Sequence, residues 1–230
     1  KKTASIIKKN KANYLFITAP ENVAWLLNIR GHDNPNSPIP NCRLIIDSNK
    51  EIFLVCEKIK AQNLIKEKKI KKKNLILPNN FKLLIKKLKK NRIIIDEKSC
   101  SLFYENILKK RFIITNKVDP IYLMKSVKNK VEIDNTINSH IFDGIALTKF
   151  LYWIKNKNKK EINEYQAQSK LENFRKKNKD YLYPSFNTIA GAGENGAIVH
   201  YKADKIKSKK IKKNDIFLCE LSPYPRYVSY

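Results

Sequence analysis

The chain has 230 residues, 42% of them hydrophobic, with 48 Lys+Arg against 21 Asp+Glu for a formal net charge of +27. That length and apolar content suit one large or two modest packed domains, and no window holds the ~18 apolar residues that an α-helical membrane span requires. Such a basic balance raises nucleic acid or an anionic membrane surface as partners. Yet the excess is mostly lysine, in runs such as Lys71-Lys72-Lys73 and Lys86-Lys87, without aromatic residues interleaved for base stacking. A compositional excess of lysine on solvated surfaces accounts for it.

Residues 14–18 (YLFIT) are β-branched and aromatic and predict a strand. Pro20 suits the first turn of a helix and Glu21 its positive end, so a helix is expected over 21–27. The segment 30–42 (RGHDNPNSPIPNC), with three prolines and a glycine, must be a loop. His32 and Asp33 there are polar loop groups or contacts to a substrate or neighbouring subunit. Strands at 43–47 and 51–56 flank Ser48-Asn49-Lys50, a hairpin signal. An amphipathic helix over 58–69, a strand at 75–77, a helix over 81–88 and a strand at 93–96 follow. Ser99 resembles the N-cap of a helix through Leu108, and 112–115 is a strand. This alternation predicts an α/β layer with some parallel pairing. Nothing in 1–116 gathers carboxylates, histidines or a phosphate-binding glycine loop, so this half reads as scaffold. Cys42, Cys56, Cys100 and Cys219 are too scattered for a zinc knuckle or redox pair and read as separate thiols of a reducing compartment.

Composition shifts at Val118-Asp119-Pro120, where Asp119 can cap a short helix that starts at Pro120. Over 132–155 the period is helical: Ile133, Ile137, Ile141, Ile145 and Thr148 form one apolar stripe, widened by Phe142, Leu147, Leu151 and Trp153. His140 lies beside the stripe as a boundary residue, and Gly144 suggests close packing. A solvated break at 156–160 leads to a second helix over 161–177, with Leu171 and Phe174 inward, and Pro184 closes the helical region. Residues 185–201 (SFNTIAGAGENGAIVHY) hold three of the chain's five glycines, Gly191, Gly193 and Gly196. A tight loop is expected there, feeding a short buried strand at 197–199 that ends on His200. Histidine titrates near neutral pH, so this placement suits proton transfer or metal-site chemistry; the plainer alternative is a glycine turn with an ordinary histidine. A lysine-rich connection over 202–214 precedes the strand 215–219 (DIFLC), which ends at Glu220. Glu220 is either a metal ligand or a strand-end surface carboxylate.

Three stretches carry a family resemblance: 22–31 (NVAWLLNIRG); Ser126-Val127-Lys128-Asn129 followed by 140–150 (HIFDGIALTKF); and 185–201. Their order and spacing resemble aminopeptidase P, the Xaa-Pro aminopeptidases of metallopeptidase family M24, which have the pita-bread fold and are related to prolidase, creatinase and methionine aminopeptidase. The resemblance implies an α/β (α+β) protein. A creatinase/prolidase-like N-terminal-type domain would occupy 1–117, and the first part of a pita-bread catalytic domain 118–230. It further implies a cytoplasmic, dimeric metallo-aminopeptidase that releases the N-terminal residue from peptides with proline in the second position. Two divalent ions, manganese by the same resemblance, would generate the attacking hydroxide. His200 would hydrogen-bond the substrate or intermediate, facing Glu220 across a cleft, and Glu220 stands where the family places its first metal-binding aspartate. The sequence departs from the pattern here: glutamate replaces aspartate, the small Ser-Gly step after it is absent, and Pro223 and Pro225 intrude. At least four of the five ligands that the family uses are not found in the 230 residues. The expectation is therefore a fragment lacking most of the metal-binding part, inactive and weak in manganese binding on its own. The alternative is a non-catalytic, peptidase-like protein-binding module. Neither reading calls for nucleic acid or a membrane.

Overall fold

The computed structural model describes residues 1–89, 91–156, 162–221 and 223–225, the last three by their backbone. Of the break expected at 156–160, Asn156 is instead the last residue of a helix, and 157–160 lie outside the described residues, as do Glu161, Ser222 and the tail from Arg226. The chain forms two compact units, Lys1–Val127 and Lys128–Ser229.

In the first unit, helix α1 (Lys2–Lys9) precedes strand β1 (Tyr14–Ile17) and helix α2 (Pro20–Leu27). Strands β2 (Arg43–Asp47) and β3 (Ile52–Val55) form the expected hairpin, followed by α3 (Lys58–Lys66) and the short strand β4 (Leu75–Ile76). Then come α4 (Phe81–Lys87), β5 (Arg92–Ile95), α5 (Leu102–Lys109), β6 (Ile113–Asn116) and α6 (Pro120–Ser126). The strands make one six-stranded sheet in the order β4-β3-β2-β1-β5-β6. Pairing is antiparallel along β1-β2-β3 and parallel at β1-β5, β5-β6 and β3-β4.

Side chains alternate across a strand, so β1 serves both faces. Leu15 and Ile17 enter one core with Leu44, Ile46, Leu54 and Ile94, covered by Ile7 of α1, Val23 of α2, Ala61 of α3 and Ile121 of α6. Tyr14 and Phe16 enter a second core with Ile45, Val55, Ile93 and Ile95, covered by Phe81 and Ile85 of α4 and Leu108 of α5. Strands covered on both faces read as continuous apolar runs rather than alternating ones, which is why 14–17 and 93–95 carry few polar residues.

The turn into α6 shows why Asn22 opens the first of the three resembling stretches. Asp119 is buried; its Oδ1 accepts from the Ile121 amide (2.9 Å), completing the expected cap, and its Oδ2 accepts from Asn22 Nδ2 (2.7 Å). The Asp119 amide donates to Asp96 Oδ2 at 2.8 Å. Asp119 thus ties α2 and α6 together through its carboxylate, and its amide joins them to Asp96 at the end of β5. Ser99 is not the cap of α5: Ser101 holds that position, while the Ser99 and Thr18 hydroxyls pair at 2.7 Å.

The second unit contains the long helix α7 (Lys130–Asn156), α8 (Glu164–Arg175) and strands β7 (Tyr181–Pro184), β8 (Ile189–Ala192), β9 (Phe217–Glu220) and β10 (Pro223–Pro225). Strands β7 and β10 pair antiparallel, as do β8 and β9. Phe150 of α7 meets Ala167 and Leu171 of α8, and Trp153, Phe174 and Phe217 pack around them. A bidentate pair reinforces the contact: Arg175 Nε to Asp143 Oδ1 at 2.7 Å and Nη2 to Oδ2 at 3.1 Å. The apolar stripe of α7 behaves differently from expectation. Ile133, Ile137, Ile141 and Ile145 stay about half exposed, whereas Ala146 and Phe150 are buried. Length explains this in part: at 1.5 Å per residue a 12-residue α8 can cover less than half of a 27-residue α7.

Candidate functional site

The glycine-rich stretch is built around β8. The buried apolar run is Ile189, Ala190 and Ala192, before and between the glycines, and a 3-10 turn over Gly193–Ala197 follows. This corrects the expectation of a buried strand at 197–199, because Ile198 is 52% and Val199 82% exposed. Two glycines are required by geometry. A Cβ on Gly191 would sit 2.8 Å from the Asn195 carbonyl oxygen, so the turn can fold back on its own strand only over a bare backbone. Gly193 has φ +57°, in the left-handed region.

His200 ends this turn region with φ 55°, a non-glycine residue in the left-handed conformation, and its side chain is exposed. Glu220, also exposed, is the last residue of β9 and pairs with Ile189 at the start of β8. Among the described residues no hydrogen bond or ion pair joins the two.

The group that organises the region is one that sequence reasoning missed. Glu164, the first residue of α8, is fully buried. Its Oε1 accepts from the Ala192 amide (2.7 Å) and Asn195 Nδ2 (2.9 Å); its Oε2 accepts from the Tyr201 hydroxyl (2.6 Å) and the Lys209 amide (3.0 Å). Asn195 Nδ2 also donates to the Tyr201 hydroxyl oxygen at 3.0 Å. Burial works to raise the pKa of this carboxyl. The bonds from Tyr201, Ala192, Asn195 and Lys209 outweigh burial and hold it below its ordinary value of 4.5. Tyr201 is pushed up to about 12, by burial and then by its bond to this carboxylate. The N-terminus of α8 adds a favourable field for the anion. A signal was legible: Asn163 and Gln166 form a capping box, with Asn163 Oδ1 accepting from the Gln166 amide (2.8 Å) and Gln166 Oε1 from the Asn163 amide (3.0 Å). That N-x-x-Q pattern places Glu164 at the helix start.

What the arrangement can do follows from its parts. An exposed imidazole on a loop pinned from beneath by a buried carboxylate can exchange a proton or hydrogen bond with a ligand on the solvent side. The residues present do not fit a pair of divalent ions: among the described residues no group of three or more His, Cys, Asp or Glu could hold even one. Likewise, among the described residues no helix is long and apolar enough to cross a membrane.

The family described as Creatinase/Prolidase N-terminal domain matches residues 1–132, and Metallopeptidase family M24 matches residues 135–229. The chain belongs to the creatinase/prolidase family, with the M24 metallopeptidase match in its second half. Within that family it is similar to Xaa-Pro aminopeptidase ApepP of Drosophila melanogaster, at 33% identity over 93% of this chain and 36% of the relative. It is also similar to Xaa-Pro aminopeptidase 1 of Dictyostelium discoideum, at 30% identity over 90% of this chain and 34% of the relative. The chain thus spans about a third of the length of these curated relatives. Among solved structures, the X-prolyl aminopeptidase from Caenorhabditis elegans, described as a cytosolic enzyme with a di-nuclear active site, superposes with a TM-score of 0.83. Its sequence identity is 22%, covering 98% of this chain and 38% of that one. The prolidase from Pyrococcus horikoshii OT3 gives a TM-score of 0.71 at 21% identity, covering 98% of this chain and 60% of that one. The mixed α/β fold expected from the resemblance is the fold of these neighbours.

Proposed function

We propose that these 230 residues supply the scaffold and the histidine loop of a metallo-aminopeptidase that releases the N-terminal residue from peptides with proline in the second position. The observation that carries this reading is the similarity to Xaa-Pro aminopeptidases along nine-tenths of the chain, including the 185–201 stretch that presents His200. The scaffold role was expected over 1–117 and the catalytic role over 118–230; the matched families change over between residues 132 and 135, and the compact units between Val127 and Lys128. His200 donates or accepts a hydrogen bond at the substrate or intermediate, which its exposure permits. Glu220 serves as one metal ligand. A two-ion site, manganese on the resemblance, would need further ligands beside Glu220, because a hard divalent ion needs several oxygens converging on one point. A bound metal pair would supply the attacking hydroxide. Three buried cysteines and a half-buried fourth, all unpaired, favour a reducing, cytoplasmic setting, and the resemblance favours a homodimer.

The test uses the longer protein loaded with manganese and an Xaa-Pro peptide. Release of the first residue is expected, and His200→Ala should lower kcat by roughly a hundredfold while metal content stays unchanged. Loss of metal with unchanged turnover per bound metal would move His200 from substrate to metal. No release by the metal-loaded wild type would refute the reading. Calorimetry of the 230-residue chain with manganese should detect no tight binding of two ions.

A further inference from the structure

We propose that Glu164 is the residue that positions His200. This rests on the reading of His200 given above and goes beyond it, because Glu164 lies 36 residues earlier and touches neither His200 nor any group assigned to substrate or metal. A histidine at φ 55° sits in a sparsely populated region and stays there only where its surroundings over-determine it. Those surroundings are two stacked turns, with the Ile198 amide donating to the Asn195 carbonyl (3.3 Å) and the Tyr201 amide to the Ile198 carbonyl (3.2 Å). Both bonds are long, and the intervening Ile198 and Val199 side chains are exposed, so the turns gain little from packing of their own. What holds them is the side chain at each end. Asn195 and Tyr201 both donate to Glu164, and Asn195 also donates to Tyr201, which closes a three-membered network beneath the loop.

Glu164 is itself immobile. The capping box of Asn163 and Gln166 fixes the first turn of α8, and the Glu164 amide donates to the Lys209 carbonyl at 3.0 Å. The remaining two bonds to its carboxylate, from Ala192 and Lys209, lock the end of β8 and the segment returning toward β9. All four bonds go to an ionised acceptor and are of the strong, charge-assisted kind. The chain of support therefore runs from the N-terminus of α8 through one carboxylate to Asn195 and Tyr201, and from them to the histidine between. An amide in place of the carboxylate turns one acceptor into a donor facing donors, and the network cannot close.

Two variants and two measurements test this. In the 230-residue chain, Glu164→Gln should remove the nuclear Overhauser pattern of a left-handed residue at His200. It should also speed amide exchange over 195–201 by about tenfold or more while Leu171 of α8 and Ile94 of β5 keep their protection. Tyr201→Phe, which removes one donor and leaves the carboxylate three, should shift the same signals by a smaller factor. If Glu164→Gln unfolds the second unit, Tyr201→Phe decides. Unchanged His200 signals in Tyr201→Phe, or in a folded Glu164→Gln, overturn the proposal. In the longer, manganese-loaded protein, Glu164→Gln should lower kcat roughly tenfold or more. Combined with His200→Ala it should lower kcat no further than His200→Ala alone; an additive loss overturns positioning. If His200→Ala leaves turnover untouched, the functional reading fails, and the exchange measurement still judges Glu164 separately.

Discussion

Glu164 and His200 show two ways in which one residue departs from its ordinary state. Glu164 is an acid without solvent, kept ionised by four donors; His200 is an exposed base on an unusual backbone. The first has a thermodynamic signature. Its folded pKa lies below the ordinary 4.5, so the folded state binds fewer protons than the unfolded one, and the contribution is present above 4.5. It is lost as pH falls through the folded pKa. Urea unfolding followed by Trp153 fluorescence, in a Trp25→Phe background, should show wild type exceeding Glu164→Gln by about 2 kcal/mol at pH 6. The gap should shrink below pH 4.5. A gap that widened in acid would mean the carboxyl is protonated in the native state.

Helices α7 and α8 meet at Asp143 and Arg175, whose guanidinium side chain is 1% exposed. A charge so enclosed tolerates its partner's loss badly, because desolvation remains when attraction has gone. Asp143→Ala should cost about 3–5 kcal/mol of second-unit stability, and pairing it with Arg175→Met should recover much of that. A single-variant loss under about 1 kcal/mol would place the pair in the weak, solvent-screened class. The same helix pair explains why a correct period gave an incomplete core. The spacing of Ile133, Ile137, Ile141 and Ile145 is helical, and the helix is there, but helical spacing states only which residues share a face. Whether a neighbouring element lies over that face depends on α8, which packs on Phe150.

At the scale of the molecule, the dominant electrostatic feature is the charge of +27 carried mostly by lysine. Ion pairs take one charge of each sign and so leave this excess intact, and like charges repel more in the compact state than in the expanded one. Screening by salt shortens the range of that repulsion to about 10 Å at 0.1 M. The Tm should therefore rise by several degrees between about 20 mM and about 500 mM sodium chloride, as read by circular dichroism. A fall in Tm would show that attractive pairs outweigh the excess. The six-stranded sheet of the first unit has helices on both faces, and the residues of its two cores are drawn from that unit.

The sequence by itself determined what depends on neighbours along the chain. The aromatic and aliphatic run Tyr14–Ile17 and the three isoleucines at 93–95 each declare a strand wherever they end up. Asp119 before Pro120 caps a helix with its own side chain, two residues from the amide it accepts from. The order of the three resembling stretches was likewise enough to name the family. The tertiary structure alone decided what depends on segments that meet only after folding. It made Gly191, rather than its neighbours, the glycine on which the Asn195 backbone closes. It paired the Ser99 hydroxyl with Thr18, 81 residues away, instead of with a helix end. And it drew Ala192, Asn195, Tyr201 and Lys209 onto Glu164 across separations of 28 to 45 residues. No local pattern encodes such a convergence, because a carboxylate at a helix start looks the same in sequence whether water or four protein donors surround it.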